Sequence, residues 1–323
     1  MKIENLESFR AKRAAIIYNP VARTLSRHLH LLERSAAALA RQEIETRLVP
    51  TIAPGSAAAQ AREQIESGCD LILAAGGDGT INEVANGMLH SGVPLGILPG
   101  GTANVLAREM RLPINMERAA SLVRQLKPRR MAAGNLHLGG SEQRGFVCMA
   151  GAGLDAEIIA RLNLNLKASA GKLAYYVCGF AQVLRILPEF EVMVDGKRHL
   201  ASFALISRVR NYGGDLEIAR GASLFRNDFE VVLFRGTRAV RYLPYLVGVT
   251  LGQAARMDGC TVLYGRTVTC QRPSGEPVYV QVDGELAGKL PITAEILPEA
   301  LTLLVPPQYY AREQSLAAVP VCA

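Results

Sequence analysis

The residues best placed to do chemistry are Gly76, Gly77, Asp78, Gly79 and Thr80, where an apolar run from Leu71 ends and a helical pattern begins. Glycines let a backbone turn tightly and bring its N–H groups up to a ligand with no Cβ in the way. A helix that starts there adds unsatisfied donors and a partial positive charge, which suits an anion and phosphate above all. Asp78 could coordinate or orient a magnesium ion, directly or through water. The loop is not a Walker A loop, since no Lys-Ser/Thr follows, nor is it G-x-G-x-x-G. Thr80-Ile81-Asn82-Glu83 also has the form of a capping box, which would explain Thr80 and Glu83 without any ligand. It does not explain Asp78 set among glycines.

Pro99-Gly100-Gly101-Thr102-Ala103-Asn104 repeats the design with glycines, a hydroxyl and a carboxamide ahead of a helical pattern. Alone it is an ordinary strand-to-helix turn; beside the first loop it becomes a second wall of a phosphate site. Asn19-Pro20 is either a plain turn or a third wall. Asp283-Gly284-Glu285 follows an apolar run and reads as a hairpin turn with an exposed glutamate. Lys167 and Lys172 could neutralise phosphate or could be solvated.

The elements that must carry these loops alternate in period up to Arg130. Strands are expected at residues 13–20, 44–49, 70–75 and 95–98, and helices at 25–39, 56–66 and 80–89, with further helical patterns from Ala103 and Met116. Such alternation implies a parallel, doubly wound, Rossmann-like α/β domain with helices on both faces. Ligands in such sheets sit at the carboxyl ends of the strands, where all three N-terminal loops fall. After Arg130 short β-like runs dominate, at residues 131–138, 145–149, 190–194, 199–208, 229–234, 261–263, 267–271, 278–282 and 301–305. Helical patterns interrupt at 154–162, 171–187 and 238–255. The expectation is an α/β domain over 1–130, an antiparallel β-sandwich domain over 131–306 and a polar tail over 307–323.

Composition narrows the function classes. A 323-residue chain, 49% apolar and 20% charged, can bury a core in each of two domains. No apolar run reaches the ~18 to 20 residues of a membrane-spanning helix, and the first residues lack signal-peptide character, so a cytoplasmic protein is expected. Six scattered cysteines form no C-x-x-C pair, and five histidines show no zinc spacing with them. The net charge of +7 admits nucleic acid, an anionic membrane surface or phosphorylated ligands. No nucleic-acid module and no tryptophan are present, which argues against the first. The basic clusters Arg10-Ala11-Lys12-Arg13, Lys127-Pro128-Arg129-Arg130 and Arg208-Val209-Arg210 are expected on a solvated surface. Peripheral membrane contact stays open, as does a homodimer.

Taken in order, the motifs resemble the catalytic-domain family of diacylglycerol kinases, lipid kinases related to sphingosine and ceramide kinases. The resemblance spans residues 14–306. Its motifs are Tyr18-Asn19-Pro20, residues 76–86, 98–104 and 151–156, Gly171 to Tyr175, Tyr212-Gly213-Gly214 and residues 282–285. It implies a nucleotide domain, a β-rich lipid domain and an active site in their cleft. By this resemblance Asn19, Thr51, Gly76, Gly77, Gly79, Thr80, Gly101, Thr102 and Asn104 would surround ATP, Asp78 would help to hold Mg2+, and Glu285 would take the acceptor hydroxyl's proton. The acceptor would be diacylglycerol or a similar lipid. Apolar helices at residues 175–187 and 242–251 would shape a lipid cleft or pack in the core. Two departures stand out. Many members have Asn-Asp where this chain has Asn104-Val105. Many also carry Asp-Gly ahead of the strand that starts near Phe229, as part of a structural metal site; this chain reads Arg226-Asn227-Asp228, leaving Asp228 as its candidate ligand. An NAD-kinase-like enzyme and a non-catalytic nucleotide- or lipid-binding protein are the alternatives.

Overall fold

The computed structural model describes residues 9–22, 25, 28–139, 142–161, 187–213, 216–237, 245, 257–272 and 274–317. The chain divides into two compact units, Met1–Met131 with Glu299–Ala323, and Ala132–Pro298.

The first unit alternates β1 (Arg13–Tyr18), α1 (His30–Ala40), β2 (Glu45–Pro50), α2 (Ser56–Glu66), β3 (Leu71–Gly76), α3 (Asp78–Met88) and β4 (Leu95–Pro99), followed by α4 (Val105–Glu109) and α5 (Met116–Ser121). β3 and β4 are buried along their whole length, as strands covered on both faces must be. α3 buries Ile81, Val84, Ala85 and Met88, the i, i+3, i+4, i+7 stripe of a one-sided helix. All pairings are parallel in the order β2-β1-β3-β4. The chain leaves β1 toward β2 and then recrosses to β3 and β4, which puts the switch point of this doubly wound sheet between β1 and β3.

The chain continues with β5 (Lys127–Leu138), β6 (Gln143–Phe146), β7 (Met149–Gly153), α6 (Leu154–Arg161), β8 (Phe190–Val194), β9 (Lys197–Ala201), β10 (Phe203–Ser207), β11 (Asn211–Tyr212), β12 (Leu216–Glu217), β13 (Phe229–Phe234), β14 (Cys260–Gly265), β15 (Thr267–Gln271), β16 (Tyr279–Val282), β17 (Glu285–Lys289) and β18 (Ile292–Val305), of which the start of β5 and the end of β18 belong to the first unit and the rest to the second. One antiparallel sheet runs β14-β13-β10-β7-β16-β17. The facing layer joins β9, β8, β15 and the start of β18, with β5 and β6 beside it. Val192, Val268 and Ile292 of that layer share one core cluster with Ile206, Val231 and Val280 of the six-stranded sheet. This is the expected antiparallel sandwich, in which each strand turns alternate residues inward.

The expected boundary at residue 306 is corrected. The end of β18 pairs parallel to β4, Leu303 against Leu95, and Leu301 to Val305 are buried. A helix, α7 (Pro307–Ala317), follows where a polar tail was expected. Tyr309 and Glu313, four residues apart on one helix face, are 3% and 2% exposed. The polar look of this segment comes from the rest of its circumference. The expected helices at 171–187 and 238–255, with Lys167, Lys172 and the Gly171 to Tyr175 motif, lie outside the described residues apart from Leu187 and Tyr245. No helix among the described residues is long and apolar enough to cross a membrane.

Candidate functional site

Strand register brings the N-terminal loops to one edge of the first unit's sheet. Tyr18 is paired with both Pro50 and Ala75, and Gly76 with Pro99. Thr51, Asn19, Gly77 and Gly100 therefore leave neighbouring strands at nearly one level, at the carboxyl ends and around the switch point. The Thr51 N–H donates to the Tyr18 carbonyl at 2.8 Å, which closes the outer part of that edge.

The two glycine loops are packed against each other. Gly100 N–H donates to the Gly76 carbonyl at 2.8 Å. A Cβ on Gly101 would stand 2.5 Å from the Gly77 Cα, so no other residue fits without parting the loops. Their glycines thus answer to each other as well as to any ligand.

The capping box expected at Thr80 and Glu83 is not formed. α3 begins at Asp78, its N-cap is Gly77 in an extended conformation, and no side chain caps it. The chain turns at Gly77 directly out of β3, which draws Thr80 into the first helical turn. The N–H groups of Asp78, Gly79 and Thr80 therefore lie in the first turn, where an α-helix supplies no acceptor.

Asp78 ties the loops together. Its Oδ1 accepts the Val105 N–H at 2.7 Å, at the start of α4. Burial raises its carboxyl above the ordinary range, against the opposing pull of the Val105 and neighbouring backbone N–H groups. Asn104 closes its own loop in the left-handed region at φ 50°, which asparagine tolerates better than most residues. Its Oδ1 accepts from Gly101 N–H at 2.8 Å and its Nδ2 donates to Gly101 O at 2.9 Å. At 2% exposure, its side chain is bound into the loop itself. Thr102 is exposed at the loop's tip. Asn19 accepts the Val21 N–H at 3.0 Å, an Asx turn that shapes the segment after β1.

Among the described residues no three His, Cys, Asp or Glu side chains cluster as a metal cage. Asp78 offers one carboxylate, and Val105 beside it adds none. That donor set suits magnesium only in its common habit of one or two carboxylates plus phosphate oxygens and water.

In the second unit, Val282 and Glu285 are paired across a two-residue turn in which Asp283 (φ 47°) and Gly284 (φ 82°) are both left-handed. This is the turn type whose twist matches a hairpin. Asp283, which the sequence presented as a mere turn residue, is its anchor. Its carboxylate accepts N–H bonds from Val147, Cys148 and Met149 at 3.1, 3.0 and 2.8 Å, and its own N–H donates to Met149 O. Glu285 sits half-buried beyond the turn, and Arg144 Nη2 donates to its Oε2 at 2.5 Å. No local signal could have revealed Arg144 or the three amides, which lie more than 130 residues away in sequence.

Asp228, the candidate ligand of a structural metal, has both oxygens engaged. Arg226 Nε and Nη2 donate to them at 2.7 and 2.6 Å, and the guanidinium lies over Tyr264 at 4.6 Å. A carboxylate forked onto a guanidinium has little left for a cation. Of the basic clusters, Arg10, Lys12, Arg13 and Arg130 are exposed as expected, whereas the third is not solvated. Arg208 and Arg210 are 0% and 5% exposed. Arg130 donates to Ser91 O, Thr302 Oγ1 and Glu299 O, and Arg129 lies over Tyr310.

Residues 13–136 match the diacylglycerol kinase catalytic domain family, and residues 148–305 match the YegS C-terminal NAD kinase beta sandwich-like domain. The chain is 29% identical over 289 residues to a diacylglycerol kinase of Bacillus subtilis (strain 168), covering 87% of this chain and 92% of that one. It is 26% identical over 310 residues to a diacylglycerol kinase of Staphylococcus epidermidis, covering 94% and 95% of the two chains. Its fold is similar to the crystal structure of a diacylglycerol kinase from Bacillus anthracis str. Sterne, with a TM-score of 0.72 at 21% identity over 93% of this chain and 99% of that one.

Proposed function

We propose, for a chain that joins a diacylglycerol kinase catalytic domain to a YegS C-terminal NAD kinase beta sandwich-like domain, that it transfers the γ-phosphoryl group of ATP to a hydroxyl of diacylglycerol or a related lipid. The observation that carries the reading is the pair of interlocked glycine loops at the switch point, with Asp78 and the open first turn of α3, in a chain that also holds Glu285 on an anchored turn.

The amides of α3's first turn would bind phosphate oxygens, with Asn19, Thr51 and Thr102 around the nucleotide. Asp78 would hold magnesium together with those oxygens; the bound ion would supply charge neutralisation across the β- and γ-phosphates. Glu285 would orient the lipid hydroxyl and take its proton as the hydroxyl oxygen bonds to the γ-phosphorus. The bond from that phosphorus to the bridging oxygen breaks, and ADP leaves with the electron pair. Arg144, held on Oε2, leaves Oε1 as the oxygen to receive the proton.

The test is ATP consumption against a panel of lipids. Activity in the wild type with a silent Glu285→Gln variant supports the reading; equal rates remove Glu285 as base. Because the lipid sits in a bilayer, transient contact with anionic membranes belongs to the proposal, driven by the net charge of +7. Vesicle co-sedimentation that weakens with salt supports that part, and salt-insensitive or absent binding removes it.

The description of the second domain as NAD kinase-like favours one further reading, phosphorylation of NAD itself. Offering NAD with ATP decides it. Val105 and the self-bonded Asn104 side chain favour a non-catalytic binding role, for which nucleotide binding with no turnover on any lipid would speak.

A further inference from the structure

Arg208 is among the largest fully buried side chains of the described residues, at 0% exposure. Its Nη1 donates to Arg226 O at 2.6 Å and Asp228 O at 2.9 Å. Its Nη2 donates to Leu224 O at 2.5 Å and Ala132 O at 3.1 Å. Three of these four carbonyls belong to alternate residues of one segment, 224–228, just ahead of β13. Carbonyls that converge from alternate residues onto one point are the donor set of a hard cation. Here they converge on a planar group with five donors and a charge that cannot be lost. The carboxylate of this segment, Asp228, is forked onto a second guanidinium, that of Arg226. A divalent ion placed among these carbonyls would displace Arg208 from its acceptors and stand beside two positive charges.

We propose that the guanidinium of Arg208 is the permanent cation of residues 222–228, and that this segment holds no metal ion, unlike the structural metal site that the family resemblance implies ahead of this strand. Arg208 is a positioning residue. By gripping the carbonyls of 224, 226 and 228 it fixes the path of the chain into β13 and with it the segment whose Arg226 lies over Tyr264. The inference is independent of the kinase reading, because it concerns the second unit's own order and needs no nucleotide.

The test uses the full chain carrying Asp78→Asn, which weakens the other candidate cation site, with Mn2+ as an EPR-visible probe and no nucleotide. The expected result is no stoichiometric Mn2+ that depends on Asp228. One bound ion per chain that Asp228→Asn abolishes would overturn the proposal. Amide hydrogen exchange supplies the positive arm. Arg208→Met should speed exchange in residues 222–228 by about tenfold or more, the effect of losing charge-assisted bonds, while β7 and β10 keep their protection. Added guanidinium ion should restore part of the loss. Equal protection of 222–228 in variant and wild type would overturn the role of Arg208. If Arg208→Met does not fold, Arg208→Lys serves in its place, since an ammonium keeps the charge and lacks the fork of donors that reaches all four carbonyls.

Discussion

The Asp78 carboxylate, in the first turn of α3, accepts the first N–H of α4 from Val105 at 2.7 Å, so that a single side chain joins the two glycine loops. The same group is the one expected to face magnesium and phosphate. Its position is therefore set by the fold before any ligand arrives, and its two duties can be separated by substitution.

Asp78→Asn keeps an acceptor for Val105 and removes the charge. It should leave the melting temperature nearly unchanged while ATP turnover falls by about a hundredfold or more, on the scale of a lost electrostatic group. Asp78→Ala removes both and should add a stability loss of about 1 kcal/mol, the scale of a deleted helix cap. Full turnover in Asp78→Asn would show that the carboxylate serves structure alone.

Gly101→Ala would place a Cβ 2.5 Å from the Gly77 backbone. Backbone cannot swing aside as a side-chain tip can, so the loops must part, at about 1 to 3 kcal/mol. Thermal melts should record that loss, and titration with nucleotide should record a larger proportional fall in affinity. An unchanged affinity would mean that loop spacing does not shape the binding site.

Arg144 fixes one oxygen of Glu285 from β6. If Glu285 is the base, Arg144→Gln should lower kcat about tenfold with KM for ATP unchanged, because orientation rather than nucleotide binding is lost. Arg144→Lys should recover part of the rate. A loss confined to KM would place Arg144 with the nucleotide instead.

Glu230 is 4% exposed, and among the described residues its Oε2 has no hydrogen-bond partner. Burial pushes its carboxyl up from 4.5 to about 7, despite the Gly221 N–H and the charges of Arg226 and Arg210. The folded state therefore binds a proton that the unfolded chain has lost, and protons favour folding. This contribution is fully present below pH 4.5 and is lost as pH rises through about 7. The 2.5-unit interval corresponds to about 3 kcal/mol at most. Urea unfolding of the wild type and Glu230→Gln across this range should show the variant gaining on the wild type as pH rises, and parallel curves would refute the buried, protonated glutamate.

Much of the fold was legible because its signals are local. The alternation of apolar runs with helical stripes up to Arg130 marks the parallel, doubly wound sheet, and glycine-rich turns mark the carboxyl ends of its strands. Asp283-Gly284 marks a hairpin, since a left-handed two-residue turn selects those residues. What failed was the assignment of polar side chains to solvent. Arg208, Arg210 and Asp283 read as surface residues, and each is buried among backbone groups that they satisfy. A buried charge is tolerated only with partners, and partners brought by folding from distant segments leave no trace near the residue.

The sequence by itself therefore determined the two-domain α/β and sandwich architecture and the loops that meet at the strand ends, because periodicity and turn chemistry act over a few residues. Only the tertiary structure decided what those loops' side chains do. Asn104 is bound into its own loop, Asp78 caps α4, Thr80 lies inside α3 rather than capping it, and Asp228 is held by Arg226. Hydrogen bonds are decided by which donor comes within about 3 Å in the folded chain, and that distance is a property of packing.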